Sequence, residues 1–157
     1  MTTQVLTQKE KELIAVGGSV SAGCVKCSNY HFKQAFEQGA SKDEVHHAVV
    51  AATAVIYDSL EISQRNAFRL MDIERQEVMV GGDEAEDALT TLIKLAAAVA
   101  VNNVINVKRY IEIADKLGIS SSKVHLTIKL ARVIQNRAGD FVEEAIDEAS
   151  PEANSTD

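Results

Sequence analysis

Four residues in the first third of the chain have types and spacing that could carry chemistry together: Glu12, Cys24, Cys27 and His31. Cys24 and Cys27 form a C-x-x-C pair. At a helix start, that spacing brings both sulfurs within disulfide reach across one turn. A helix N-terminus also stabilises a thiolate, the form of cysteine that attacks. His31 follows Cys27 by four residues and Cys24 by seven, so all three share one helical face. An imidazole that titrates near neutrality can take a thiol proton and return it to a leaving oxygen. Glu12, earlier in the chain, could orient that imidazole or end a proton relay. The same four groups could instead hold a metal ion, and this reading stays open beside the thiol one.

The elements that must position these groups read as helices throughout. Thr7 and Glu10 have capping-box form and open a first helix with Leu13, Ile14 and Val20 facing inward. Gly17 and Gly18 lie inside it, a cost to the helix unless another backbone approaches closely there. A second helix is predicted from near Cys24 to Gln38, with Gly39 as its left-handed stop. Ser41 and Glu44 form another capping box and open a third helix through Val45, Val49, Ala52 and Ile56. A fourth run is predicted from Ser59 to Val78, ending at Gly81 and Gly82. The fold class is therefore all-α.

The chain also repeats itself. The offset that carries Gly39 onto Gly118 carries Leu13 onto Leu92, Ile14 onto Ile93 and Val20 onto Val99. It also carries Ala35 onto Ala114, Ser41 onto Ser120, Val45 onto Val124, His46 onto His125 and Ala52 onto Ala131. Roughly ten identities over about 45 ungapped positions mark an internal duplication. It divides the chain into a first repeat over 1–80, a degenerate second repeat over 81–149 and an acidic tail over 150–157, expected to be disordered. The four reactive groups did not repeat. Asn103 stands opposite Cys24, Asn106 opposite Cys27, Tyr110 opposite His31 and Thr91 opposite Glu12. One copy keeps only the scaffold, so the fold itself does not require these side chains.

Glu12, eleven residues, Cys24, two residues, Cys27, three residues, His31: this order resembles the motif of the AhpD-like branch of the carboxymuconolactone decarboxylase family. The resemblance runs from about Thr7 to Ile56 and returns, weakened, from about Ala88 to Gln135. It implies an all-helical fold and a thiol-dependent peroxidase or disulfide reductase, with a non-redox member of the same superfamily as an alternative beside the metal-binding one. It further implies that Cys27 reacts with the peroxide or disulfide, that Cys24 closes an intramolecular disulfide with it, and that Glu12 and His31 relay protons. No cofactor beyond that redox-active disulfide is implied. The expected partners are a peroxide or small disulfide as substrate and a dithiol or thioredoxin-like reductant. Homo-oligomers are also implied, with a trimer of doubled chains favoured and a hexamer as the larger option. Two features depart from the pattern: the Cys pair sits in the first copy rather than the second, and Lys26 precedes Cys27.

Composition bounds the rest. Of 157 residues, 46% are hydrophobic but only 4% aromatic, so the interior must be built from Ala, Val, Ile and Leu. A net charge of −7 repels phosphate backbones and anionic lipid surfaces, which argues against nucleic acid and membrane partners. No signal-peptide layout opens the chain, and a cytoplasmic location is the expectation. In that compartment a close Cys pair is more often catalytic or metal-binding than a permanent staple. His46, with its counterpart His125, is expected to be structural, and His47 to face either the site or a subunit boundary. Ser28 and Tyr30 are candidate neighbours of the reactive pair. The Glu143–Glu148 cluster is expected to be a solvated helix end.

Overall fold

A computed structural model describes residues 5–73 and 87–150. Six helices make up these residues: α1 Gln8–Ser21, α2 Val25–Glu37, α3 Lys42–Leu70, α4 Ala88–Ala100, α5 Val104–Lys116 and α6 Ser121–Ala149. Both capping boxes are present. Thr7 accepts from the Glu10 amide while the Glu10 carboxylate accepts from the Thr7 amide, and Ser41 and Glu44 do the same at α3. Gly39, at φ 82°, ends α2 in the left-handed region, and the Ala40 amide reaches back to the Ala35 carbonyl.

The expected third and fourth helices are one. Nothing between Ile56 and Ser59 breaks a helix, since the chain holds neither Pro nor Gly there, and α3 continues to Leu70. It also stops earlier than Val78. Asp72 adopts φ 53°, and the Ile73 amide turns back to the Phe68 carbonyl, so an aspartate does here what a glycine does at position 39. Gly81 and Gly82, the proposed boundary near residue 80 and the tail from 151 onward lie outside the described residues.

The helix bounds recur at the repeat offset. Under the offset that superposes Gly39 and Gly118, the bounds of α5 and α6 fall on those of α2 and α3. Gly118 repeats the left-handed turn of Gly39 at φ 66°, and Asn102, at φ 55°, repeats that of Gly23, at φ 65°. The Cys24 amide bonds to the Ser19 carbonyl just as the Asn103 amide bonds to the Ala98 carbonyl. α1 and α4, the first helix of each set, pack against each other at the centre. α3 and α6 each touch both of these central helices, and α2 and α5 lie outside.

The centre is made of small and branched side chains, as the low aromatic content required. Leu13, Ile14 and Val16 of α1 meet Leu92, Ile93, Leu95 and Val99 of α4 in one buried cluster. At Gly17 the two helices are in close contact. A Cβ there would lie 2.7 Å from Ile93 Cγ2 and 3.4 Å from the Ile93 carbonyl oxygen. The close approach that justifies a glycine inside α1 is therefore its contact with α4. No helix among the described residues is long and apolar enough to cross a membrane.

Candidate active site

Gly23 allows the α1–α2 turn to double back, and the turn delivers Cys24 to the N-cap of α2. There the Cys27 amide donates to Cys24 Sγ at 3.1 Å. The two cysteines are joined as a disulfide, with their Cα atoms 5.2 Å apart. Both are buried, 6% and 8% exposed, in a small apolar cluster with Ala15 of α1 and Ile134 of α6, flanked by Ala22, Ala138 and Phe141. Cysteine is an unusual cap, because serine, threonine, aspartate and asparagine serve better. In the second half Asn103 fills the same position, and its Oδ1 accepts from the Asn106 amide at 2.9 Å. The first half thus keeps a poorer cap in order to place a sulfur.

One turn beyond Cys27, His31 Nδ1 lies 2.9 Å from Glu12 Oε2. Glu12 is buried at 9% exposure on α1, and its other oxygen accepts from Gln8 Nε2 at 3.3 Å. A carboxylate out of water must be paired, and here the imidazole pairs it across the α1–α2 contact. With Glu12 ionised, Nδ1 carries the shared proton, and Nε2 is left as the basic nitrogen. The Tyr30 ring stands edge-on to His31, with centroids 5.1 Å apart. Ser28 donates to Ser19 Oγ at 3.3 Å, and Ser19 in turn donates to the Val16 carbonyl. Ser28 and Ser19 therefore brace α2 on α1 near the disulfide.

Lys26 turns to α6. Its Nζ sits 4.3 Å from the Phe141 ring centroid and 3.6 Å from Glu144 Oε2. His47 bonds through Nε2 to Thr90 Oγ1 at 2.7 Å, linking the starts of α3 and α4 rather than joining the cysteines. His46 and His125 are exposed, and so are residues 142–150, including the acidic cluster. Among the described residues no three His, Cys, Asp or Glu side chains converge as metal ligands.

The counterparts in the second half serve the fold. Thr91 is buried, and its hydroxyl donates to the Asp87 carbonyl at 3.0 Å. Asn106 is buried and donates to Ser59 Oγ at 3.4 Å, and Tyr110 is buried in the main core.

Sequence reasoning missed the contribution of α6. Ile134, Ala138 and Phe141 wall the disulfide, although they come from the copy without reactive groups. Nothing in their type marks them. Only the duplication hints at it, because Asn106 packs on Ser59 of α3, and Ser59 is the repeat counterpart of Ala138.

No curated protein matches the chain closely enough to count as a relative. Residues 1–71 match the model of the carboxymuconolactone decarboxylase family, a stretch that holds Glu12, both cysteines and His31. Over this part, residues 1–71, the chain is similar to the carboxymuconolactone decarboxylase family.

Proposed function

We propose that the protein is an AhpD-like thiol-dependent peroxidase or disulfide oxidoreductase. The observation that carries this reading is the Cys24–Cys27 disulfide at the head of α2, one helical turn from the part-buried His31–Glu12 pair. In the reduced protein, His31 takes the Cys27 thiol proton. The Cys27 thiolate attacks the outer oxygen of a hydroperoxide, the O–O bond breaks, and the alkoxide leaves with the proton returned by His31. Cys27 is then a sulfenic acid. Cys24 attacks its sulfur, water departs, and the disulfide forms. Two electrons and two protons from an external dithiol reopen it.

The apolar walls around the sulfurs keep bulk water from the sulfenic acid. Glu12 holds the imidazole in one tautomer and stabilises it while it is protonated. A homo-oligomer, with a trimer favoured, belongs to the same reading. Tyr57, Leu60 and Leu70 are exposed on the long helix α3, a surface suited to burial between subunits. Light scattering at micromolar concentration tests it, and a monomer would count against it.

The activity is tested by turnover with hydrogen peroxide, an alkyl hydroperoxide and a small disulfide, each supplied with a dithiol donor. Turnover of at least one that disappears in Cys24→Ser and in Cys27→Ser supports the reading. Turnover that survives both substitutions rejects it.

A further inference from the structure

Cys24 and Cys27 do not border the same space. A groove of about 510 Å³ runs between the α1–α2 turn and the last turns of α6, and Cys24 is in its wall while Cys27 is not. Its other walls are Val25, Phe141, Val142, Ala145 and Ile146, with Lys26 at the edge. The volume is that of a site for one small molecule, too narrow for a folded partner's surface. Cys27 instead has His31 one turn along its own helix, on the side tied to Glu12.

Charge narrows what can enter. Glu143, Glu144, Asp147 and Glu148 interleave with the apolar residues on the last turns of α6 and stand exposed. Lys26, the cation of the groove, is already 3.6 Å from Glu144. Lys26, the charged residue that lines the groove, is thus paired. The carboxylates of α6 stand beside the groove rather than in its lining, and the lining is apolar. That combination favours a thiol with a neutral, apolar body and repels one that carries an extra anionic group.

We infer that this groove is the entry for a small, neutral, apolar thiol, and that exchange between the protein and outside thiols passes through Cys24. This rests on the dithiol reading above and adds the route and the class of co-substrate to it. The thiolate of the incoming molecule attacks Cys24 Sγ and forms a mixed disulfide there. The Cys24–Cys27 bond breaks, and Cys27 leaves as a thiolate that takes its proton from the His31 side. A second thiol attacks the mixed disulfide, frees Cys24 and leaves as the oxidised small disulfide. Two thiols are oxidised for each protein disulfide reduced. By microscopic reversibility, a small disulfide that oxidises the protein meets Cys24 first, a departure from the family resemblance, which implies Cys27 for peroxides and disulfides alike.

The test uses the oxidised full-length chain and three thiols: benzyl mercaptan, 2-mercaptoethanol and 2-mercaptoethanesulfonate. Early time points are quenched in acid, alkylated and mapped by peptide mass spectrometry, and rates are taken per thiolate. The expected adduct is on Cys24, with the alkyl group on Cys27. Benzyl mercaptan should exceed the sulfonate by about tenfold, and Glu144→Lys should narrow that ratio severalfold. An adduct on Cys27, or equal rates for the three thiols, overturns the inference. If exchange occurs at Cys24 but no peroxide or disulfide is turned over catalytically, this inference stands and the proposed activity falls.

Discussion

Glu12 Oε2 and His31 Nδ1 meet at 2.9 Å across the contact of α1 with α2, with Gln8 completing the carboxylate's partners. The pair fixes which imidazole nitrogen is left to serve the thiol one turn back. In the proposed mechanism it is the link by which a glutamate on one helix acts on a cysteine on the next. Replacing Glu12 by Gln keeps the shape and removes the charge that stabilises the imidazolium. The expected result is a fall on the order of 10²-fold in the rate of thiol oxidation by peroxide, with the disulfide still able to form. Stopped-flow rates from pH 5 to 9 check it. A rate and pH profile equal to wild type would show that Glu12 has no part in the proton relay.

Cys24→Asn separates the sulfur's chemistry from its structural place. Asn103 already caps α5 from the equivalent position. Under reducing conditions the variant should match or exceed reduced wild type in stability, with a difference of up to about 1 kcal/mol, and should form no intramolecular disulfide. Urea denaturation and a peroxide assay read the two effects separately.

Adjacent glycines in α1 should respond in opposite ways to alanine. At Gly17 the new methyl meets Ile93 Cγ2 at 2.7 Å, in a buried side chain pinned between central helices, so Gly17→Ala should destabilise by about 1–3 kcal/mol. At Gly18 the nearest atom is Ile134 Cδ1 at 3.4 Å, the flexible end of its side chain. Gly18→Ala should be near neutral, or gain up to about 1 kcal/mol from helix propensity. Thermal midpoints of the two variants give the comparison.

The capping boxes predict a loss of stability in acid. Partial burial pushes the Glu10 carboxyl up, but hydrogen bonds from the Thr7 amide and hydroxyl, with Lys123 and Lys9 nearby, outweigh it and hold Glu10 below the usual carboxylate range. The hydrogen bond from Lys9, followed by that from the Ser41 amide, does the same for Glu44. A depressed folded value means that the unfolded chain binds more protons. This contribution is therefore complete above the unfolded carboxylate value of about 4.3 and is lost as pH falls through the lower folded values. The double variant Glu10→Gln, Glu44→Gln should be less stable at pH 6 and should show a flatter decline toward pH 3 than wild type.

Much of this arrangement is written in local residue types. Thr7, Ser41 and Gly39 announce helix ends because caps and left-handed stops depend on a few adjacent atoms. The pairing of Gly39 with Gly118 exposed the duplication for the same reason. The C-x-x-C-x-x-x-H string placed three groups on one helix without knowledge of the rest. The joining of α3 into a single helix was less legible, since Tyr57, Asp58 and Ser59 neither favour nor break a helix strongly. Its end at Asp72 was hidden as well, because aspartate seldom takes the left-handed role. The wall that Ile134, Ala138 and Phe141 build over the disulfide is a tertiary fact. Apolar residues on a long helix look the same whether they cover a core or a reactive sulfur.

The most direct test of the dithiol account is a single-turnover titration of freshly reduced protein with one equivalent of hydroperoxide. The account predicts that one peroxide is consumed as two thiols disappear, that peptide mapping finds Cys24 joined to Cys27, and that Cys27→Ser abolishes the rapid phase. Stoichiometric metal in the fresh protein with thiols unreactive until chelation, or rapid peroxide consumption that persists in Cys27→Ser, would contradict it.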